Sequence, residues 1–297
     1  MPSLKDIQLK IQGIKKTEQI TKAMNMVAAA KLRGAQERME QFRPYAEKFA
    51  SVMGVLSAGA NPTAFPLMEI REVKKVLLLV ITSDRGLCGA FNANIISAAE
   101  KAATALREEG KEVAFACIGR KAVSYFERSE YEVLYSLADV MGNVQMFNAR
   151  QVGKEVSNLF LDGEVDKVQV IYGRFINVVT QKPTMKQLLP ISSEGLGETG
   201  QQEEEEAGEA KPVYIYEPSP EEILGTLMPL YINVQIMHGM LETVASEQAA
   251  RMTAMDNASR ACKDMIESLT LAFNKARQAA ITRELMDIVG GAEALKG

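Results

Sequence analysis

Proline is absent from Ser3 to Arg43 and again from Leu230 to Val289. No other feature of this chain restricts its fold so strongly. A proline removes a backbone donor and its ring clashes with the turn before it, so two proline-free ends leave room for two long helices. At 1.5 Å per residue the C-terminal one would reach on the order of 90 Å. Helices of compact domains run about 8–20 residues. The chain's own core cannot cover such a length, and the cover must come from elsewhere.

The pattern within both ends agrees with this. Ser3 and Asp6 make a capping-box start. Steps of three and four then give Leu4, Ile7, Ile11, Ile14, Glu18, Thr21, Asn25, Ala28, Leu32, Ala35, Met39 and Phe42. This is a heptad seam, apolar at both ends and polar in its middle, which a plain two-stranded zipper would not be. The second helix opens at Ser219-Pro220-Glu221-Glu222 with its own capping signature, and Pro229 is expected to kink it early. Its seam reads Met252, Met255, Ser259, Cys262, Ile266, Leu269, Phe273, Ala276 and Ala280. Ile281, Leu285 and Ile288 continue the stripe as it drifts around the helix. Two seams at opposite ends of one chain pair most simply as an antiparallel coiled coil. The alternative, two amphipathic helices laid on one large core, fits the lengths and the alanine-rich seams less well.

Between the ends, strand and helix patterns alternate. Val76–Ile81 is an uninterrupted apolar run, as in a strand covered on both faces. A helix is expected over Asn92–Glu109 with Gly110 as its stop, a strand over Glu112–Ile118, and helices over Arg120–Arg128 and Asn143–Leu161. Val165–Ile176 and Val178–Leu189 read as strands, the second broken by Pro183. The stretch 192–211, with Glu203–Glu206, reads as an acidic mobile loop. Val213-Tyr214-Ile215-Tyr216 reads as a last short strand. The expected fold is therefore α/β: a coiled coil of the N- and C-terminal long helices (residues 1–57 and 219–290) with an inserted open, Rossmann-like α/β domain (residues 73–217).

Composition narrows the function classes. The net charge of −4 implies no nucleic-acid partner, yet through Lys48 ten basic side chains face five acidic ones, so the first helix is basic. Three unclustered cysteines, Cys88, Cys117 and Cys262, suggest a reducing compartment rather than a disulfide framework. Charges from Lys5 onward leave no signal-peptide pattern, and the longest apolar run, Val76–Thr82, is far too short to span a bilayer. The turn Thr82-Ser83-Asp84-Arg85-Gly86-Leu87-Cys88-Gly89-Ala90-Phe91-Asn92 follows the first strand, where open α/β folds bind ligands. It holds neither G-x-G-x-x-G nor a Walker lysine, and reads as a tight strand-to-helix turn. His238 is the only histidine, so a catalytic triad or a histidine metal site has no basis. No catalytic residue, cofactor site or metal site is expected. Alanine and methionine in the long helices suggest a smooth shaft that moves against changing neighbours.

Three blocks resemble the gamma subunits of bacterial F-type ATP synthases. They are Ser3–Ile7 with Thr17–Leu32, the Thr82–Asn92 turn, and Ser246–Met252 with Asn274–Thr282 and Glu284–Ala292. Together they span nearly the whole chain. The resemblance implies a non-catalytic rotor shaft, present as one copy in a ring of alpha and beta subunits. It couples ion flow through a membrane c-ring to ATP synthesis or hydrolysis in that ring, and its foot contacts the epsilon subunit. It further implies a peripheral location on the cytoplasmic face of the bacterial plasma membrane. Arg277, Gln278, Thr282 and Glu284 match positions that hydrogen-bond the beta subunit's catch loop. Met24, Arg251, Arg85 and Cys88 match positions near beta's lever region. Ala90 stands where the family often has glycine, and the paired-cysteine insert of chloroplast members is missing. Two other readings are a nucleotide-dependent α/β enzyme with a coiled-coil arm, and a passive tether between two partners.

Overall fold

The computed structural model describes residues 3–58, 65–191 and 220–294. The acidic stretch at 192–211, the expected strand at 213–216 and the Ser219 cap lie outside the described residues. The first helix, α1, spans Leu4–Ala58, and the last, α5, spans Pro220–Ala294. Two compact units share these helices: residues 3–28 with 252–294, and residues 29–251.

The first unit is a pair of helical segments. Ser3 and Asp6 cap α1 reciprocally: the Ser3 amide donates to Asp6 Oδ2 at 3.0 Å and the Asp6 amide to Ser3 Oγ at 3.2 Å. These bonds hold the Asp6 carboxyl below its ordinary pKa. Every residue of the expected seam from Leu4 to Ala28, and from Met252 to Ala280, is buried or half-buried. Thr21 Oγ1 meets Ser259 Oγ at 2.8 Å, and Asn25 Nδ2 donates to the Met252 carbonyl at 2.8 Å. The pair is antiparallel, because the α5 number rises as the α1 number falls. The polar break in the seam is thus a layer of cross-helix hydrogen bonds.

The second unit is built on a five-stranded sheet of order β3-β2-β1-β4-β5. Its strands are β1 Lys75–Ile81, β2 Glu112–Ile118, β3 Glu132–Leu137, β4 Lys167–Phe175 and β5 Gln181–Leu189. The first four are parallel, and β5 runs antiparallel to β4. The even and odd residues of β1 face opposite layers, which explains its unbroken apolar run. Val76, Leu78 and Val80 pack with α2 (Phe91–Glu108) and α3 (Arg120–Phe126). Leu77, Leu79 and Ile81 pack with α4 (Met146–Leu161), with α1 from Met39 to Leu56, and with α5 from Leu224 to Ala245. Fully burying one such side chain contributes about 2 kcal/mol.

Two details differ from the sequence reading. The edge strand β3 was not foreseen, because only one of its flanks is covered and its polar Glu132 and Ser136 mask the pattern. β5 is not broken at Pro183. Pro183 sits opposite Gly173 on an edge strand, where a missing donor can point away from the sheet. Neither Pro44 nor Pro229 ends its helix. Both are exposed, while near neighbours such as Ala46 and Met228 are buried and hold the helix in place. Where α4 packs on α5, a Cβ on Gly153 would stand 2.1 Å from Asn233 Oδ1, so a larger residue there would have to turn the Asn233 amide aside. No helix among the described residues is long and apolar enough to cross a membrane.

Candidate functional site

The chain's most suggestive turn, 82–90, sits at the C-terminal end of β1, beside the point where strand order reverses. An open α/β fold places its ligand crevice there. In this chain that crevice is closed by its own side chains. The Asp84 carboxylate accepts the backbone amides of Arg120, Asp139 and Met141, each at 2.9 Å. It ties the ends of β1, β2 and β3 together as a built-in anion. Thr82 Oγ1 accepts the Ala122 amide at 2.8 Å, and a Cβ on Gly119 (φ 90°) would lie 2.2 Å from the Thr82 carbonyl.

The gap between β1 and β4 is filled by α5. β4 pairs with β1 only as far as Ile171. From Gly173 onward its backbone groups on that side have lost their strand neighbour. Ser246 Oγ donates to the Gly173 carbonyl at 2.9 Å, and the Phe175 amide donates to Glu242 Oε2 at 2.6 Å. The helix thereby takes the place of a strand. The other Glu242 oxygen receives Arg43 Nη2 at 3.1 Å and lies 3.6 Å from His238 Nε2. Further along, Arg251 Nη1 donates to the Gly86 carbonyl at 2.6 Å, and Arg251 also pairs with Glu247. Sequence reasoning missed Glu242, Ser246 and Glu247.

The electrostatics fit a closed site. Burial is the main cause that pushes His238 down to about 4, against the pull of Glu242 and with help from Lys186, Arg43 and Arg174. Burial also raises the Cys88 thiol and lifts Cys117 to about 12, so neither is a thiolate at neutral pH. No cluster of His, Cys, Asp or Glu among the described residues could hold a metal ion.

The eight residues singled out from the sequence fall into three groups. Cys88 and Arg251 are buried within this chain, Cys88 in the core under α2 and Arg251 between Gly86 and Glu247. Within this chain their burial leaves them holding the turn from inside. Arg85 is exposed at the turn's surface, and Met24 is half-buried beside the polar layer of the helix pair. Arg277, Gln278, Thr282 and Glu284 are exposed on the last turns of α5. Seven residues apart, Arg277 and Glu284 share one face, and Gln278 and Thr282, four apart, share another.

The register of the helix pair brings the start of α1 level with the region of Phe273 and Ala276. Beyond Ala280, α5 has no α1 residue left to pair with. Ile281, Leu285 and Ile288 are accordingly 50%, 57% and 68% exposed, and Met286 and Val289 are exposed beside them.

Comparison with known proteins follows the same lines. The sequence matches the ATP synthase family over residues 3–295. The ATP synthase gamma chains of Desulfotalea psychrophila and of Nitratidesulfovibrio vulgaris Hildenborough are each 54% identical to this chain, over 300 and 298 residues, with all of each protein covered. Among solved structures, a chain in the central stalk and c-ring of Tetrahymena thermophila mitochondrial ATP synthase is 27% identical. It has a TM-score of 0.61 and covers 81% of this chain and 99% of its own. A chain of the Euglena gracilis ATP synthase rotor shares the fold at 22% identity and a TM-score of 0.63, covering 94% of this chain and 98% of its own.

Proposed function

The chain belongs to the ATP synthase gamma-chain family, and from that membership we propose how its two units divide the work of a rotor. It is a non-catalytic subunit, the central stalk of an F-type ATP synthase, coupling ion flow to ATP synthesis or hydrolysis. One copy stands in a ring of alpha and beta subunits, with its α/β unit toward the epsilon subunit and the membrane c-ring. The complex lies on the cytoplasmic face of the bacterial plasma membrane, with this chain as a peripheral component.

One observation carries the reading: the end of α5 is helical, apolar and uncovered by any α1 partner. A stripe of Ile281, Leu285 and Ile288 in water is unfavourable unless another surface encloses it. The alpha/beta ring encloses it, and Arg277, Gln278, Thr282 and Glu284 hydrogen-bond the beta catch loop beside it. Arg277 suits a carboxylate there through its planar fork. Arg85 and Met24 meet the lever region of beta. As the shaft turns, each beta subunit meets a different face of it, and differential contact shifts that subunit between conformations.

The test is co-expression with the cognate alpha and beta subunits and purification through a tag on beta. The chain is expected to co-purify at one copy per ring and to raise ATP turnover over the ring alone. Failure to co-purify, or equal turnover with and without it, would sink the reading. So would tight, stoichiometric ATP binding by the isolated chain.

A further inference from the structure

Small residues line α5 where it lies on the sheet. A Cβ on Gly239 would stand 3.2 Å from Ile81 Cδ1 and 3.5 Å from the Tyr172 ring. Ala245 packs in the same core, and Ala249 is fully buried one turn later. Such a face lets the helix come close, but it has no long side chains to interlock with the strands. Apolar burial is also non-directional. By itself it resists a turn of α5 about its own axis only weakly.

Hydrogen bonds supply what this face lacks. Three buried side chains of α5 end on main-chain groups, which cannot follow a movement by changing rotamer. The Phe175 amide donates to Glu242 Oε2 at 2.6 Å, Ser246 Oγ donates to the Gly173 carbonyl at 2.9 Å, and Arg251 Nη1 donates to the Gly86 carbonyl at 2.6 Å. Glu242 and Ser246, one turn apart, grip β4. Arg251 stands about two and a half turns beyond Glu242, so it leaves the helix from the opposite side to reach the turn after β1. Glu242 also receives Arg43 of α1, so one carboxylate ties both long helices to the sheet. At about 5 Å from the helix axis, a turn of about 30° carries a side-chain oxygen through about 2.6 Å. A hydrogen bond of ordinary length does not survive that displacement.

The anchors stand at a particular place in the chain. The α/β unit ends at Arg251, and from Met252 α5 continues in the helix pair. We propose that Glu242 and Ser246 are positioning residues that lock the rotational setting of α5 on the sheet. The α/β unit and the helix then turn as one body instead of slipping past each other, and Arg251 completes the lock from the other side. Stability alone does not call for a buried carboxylate here, since apolar residues of like size often serve as well. A directional grip does call for it. This rests on the rotor reading and deepens it, because it assigns the passage of torque along α5 to named bonds.

The experiment uses the chain assembled with alpha and beta, the ring fixed to a surface and an optical probe on Lys101 of the α/β unit. Without ATP the ring holds the far end of α5 still, and the variance of the probe angle reads the torsional softness between them. The parent is compared with Ser246→Ala, with Glu242→Met combined with Ser246→Ala, and with Val113→Ala. The last trims the core on the α2 and α3 side of the sheet and leaves the anchors intact. The variance should rise by up to about 1.5-fold in Ser246→Ala and up to about threefold in the double variant, the limits for three equal bonds acting in parallel. Val113→Ala should match the parent. Variances equal to the parent in both α5 variants would overturn the proposal. An equal rise in Val113→Ala would overturn it too, since the effect would then be a general loss of stability. So would a Ser246→Ala chain that fails to assemble, because Ser246 would then serve folding. If the parent itself fails to assemble, or its probe stays still when ATP is supplied, the rotor reading falls instead.

Discussion

Two stretches of the same helix, residues 231–251 and 281–289 of α5, have opposite surroundings. In the first, every position is buried or half-buried, polar ones included, and Glu242, Ser246 and Arg251 answer backbone groups of β4 and of the turn after β1. In the second, every position is exposed, its aliphatic side chains included. Local propensity does not distinguish them, since both are unbroken helix. What differs is who provides the cover. The chain's own sheet encloses the first stretch, and in our account other subunits enclose the second. The first stretch is therefore built for stability of the chain and the second for assembly.

Mutations should separate the two roles. The largest loss of chain stability is expected from Glu242→Ala in the enclosed stretch. It strands the Phe175 amide and the Arg43 guanidinium, at a cost of about 3 kcal/mol, and chemical denaturation of the full chain would measure it. A loss within experimental error would mean that α5 does not substitute for a strand there. Next comes a pH effect in the same enclosed region. His238 titrates near 4 when folded, against an ordinary value of 6.5. Between those values only the unfolded chain gains the proton, so stability should fall as pH drops from about 6.5 toward 4 and be flat above. His238→Gln should flatten that part of the profile, and an unaltered slope would assign it to other groups.

Smaller effects belong to the helix pair. Thr21→Val keeps the shape and removes the bond to Ser259, and should lower stability by about 1 kcal/mol or less. A much greater loss would make the polar layer, not the apolar seam, the main support of the pair. Smallest of all, changing Ile281, Leu285 and Ile288 together to Ser should alter the stability of the isolated chain by under about 0.5 kcal/mol. The same variant should nevertheless lose affinity for the alpha/beta ring. If it destabilises the chain as strongly as Glu242→Ala, the stretch is covered from within and the contrast drawn above is wrong.

Legibility in the sequence followed the same division. The long helices, the seams and the run Val76–Ile81 were plain because one strong periodicity governs each of them. β3 was hidden because an edge strand needs cover on few residues and so carries a faint pattern. The Glu242–Ser246 substitution for a strand was hidden for another reason: it depends on β4 outrunning β1, and no local sequence signal encodes that. For the candidate contacts, motif resemblance located Arg277, Gln278, Thr282 and Glu284 on an exposed surface. It could not tell that Cys88 and Arg251 face inward, because burial is decided by elements far apart in the chain.

In this reading the chain turns as a shaft inside a ring of partner subunits. The direct measurement anchors an assembled alpha/beta ring to a surface, attaches an optical probe to an exposed residue of the α/β unit such as Lys101, and supplies ATP. The account predicts rotation of the probe in one direction for as long as ATP is hydrolysed. Full hydrolysis with a stationary probe would contradict it.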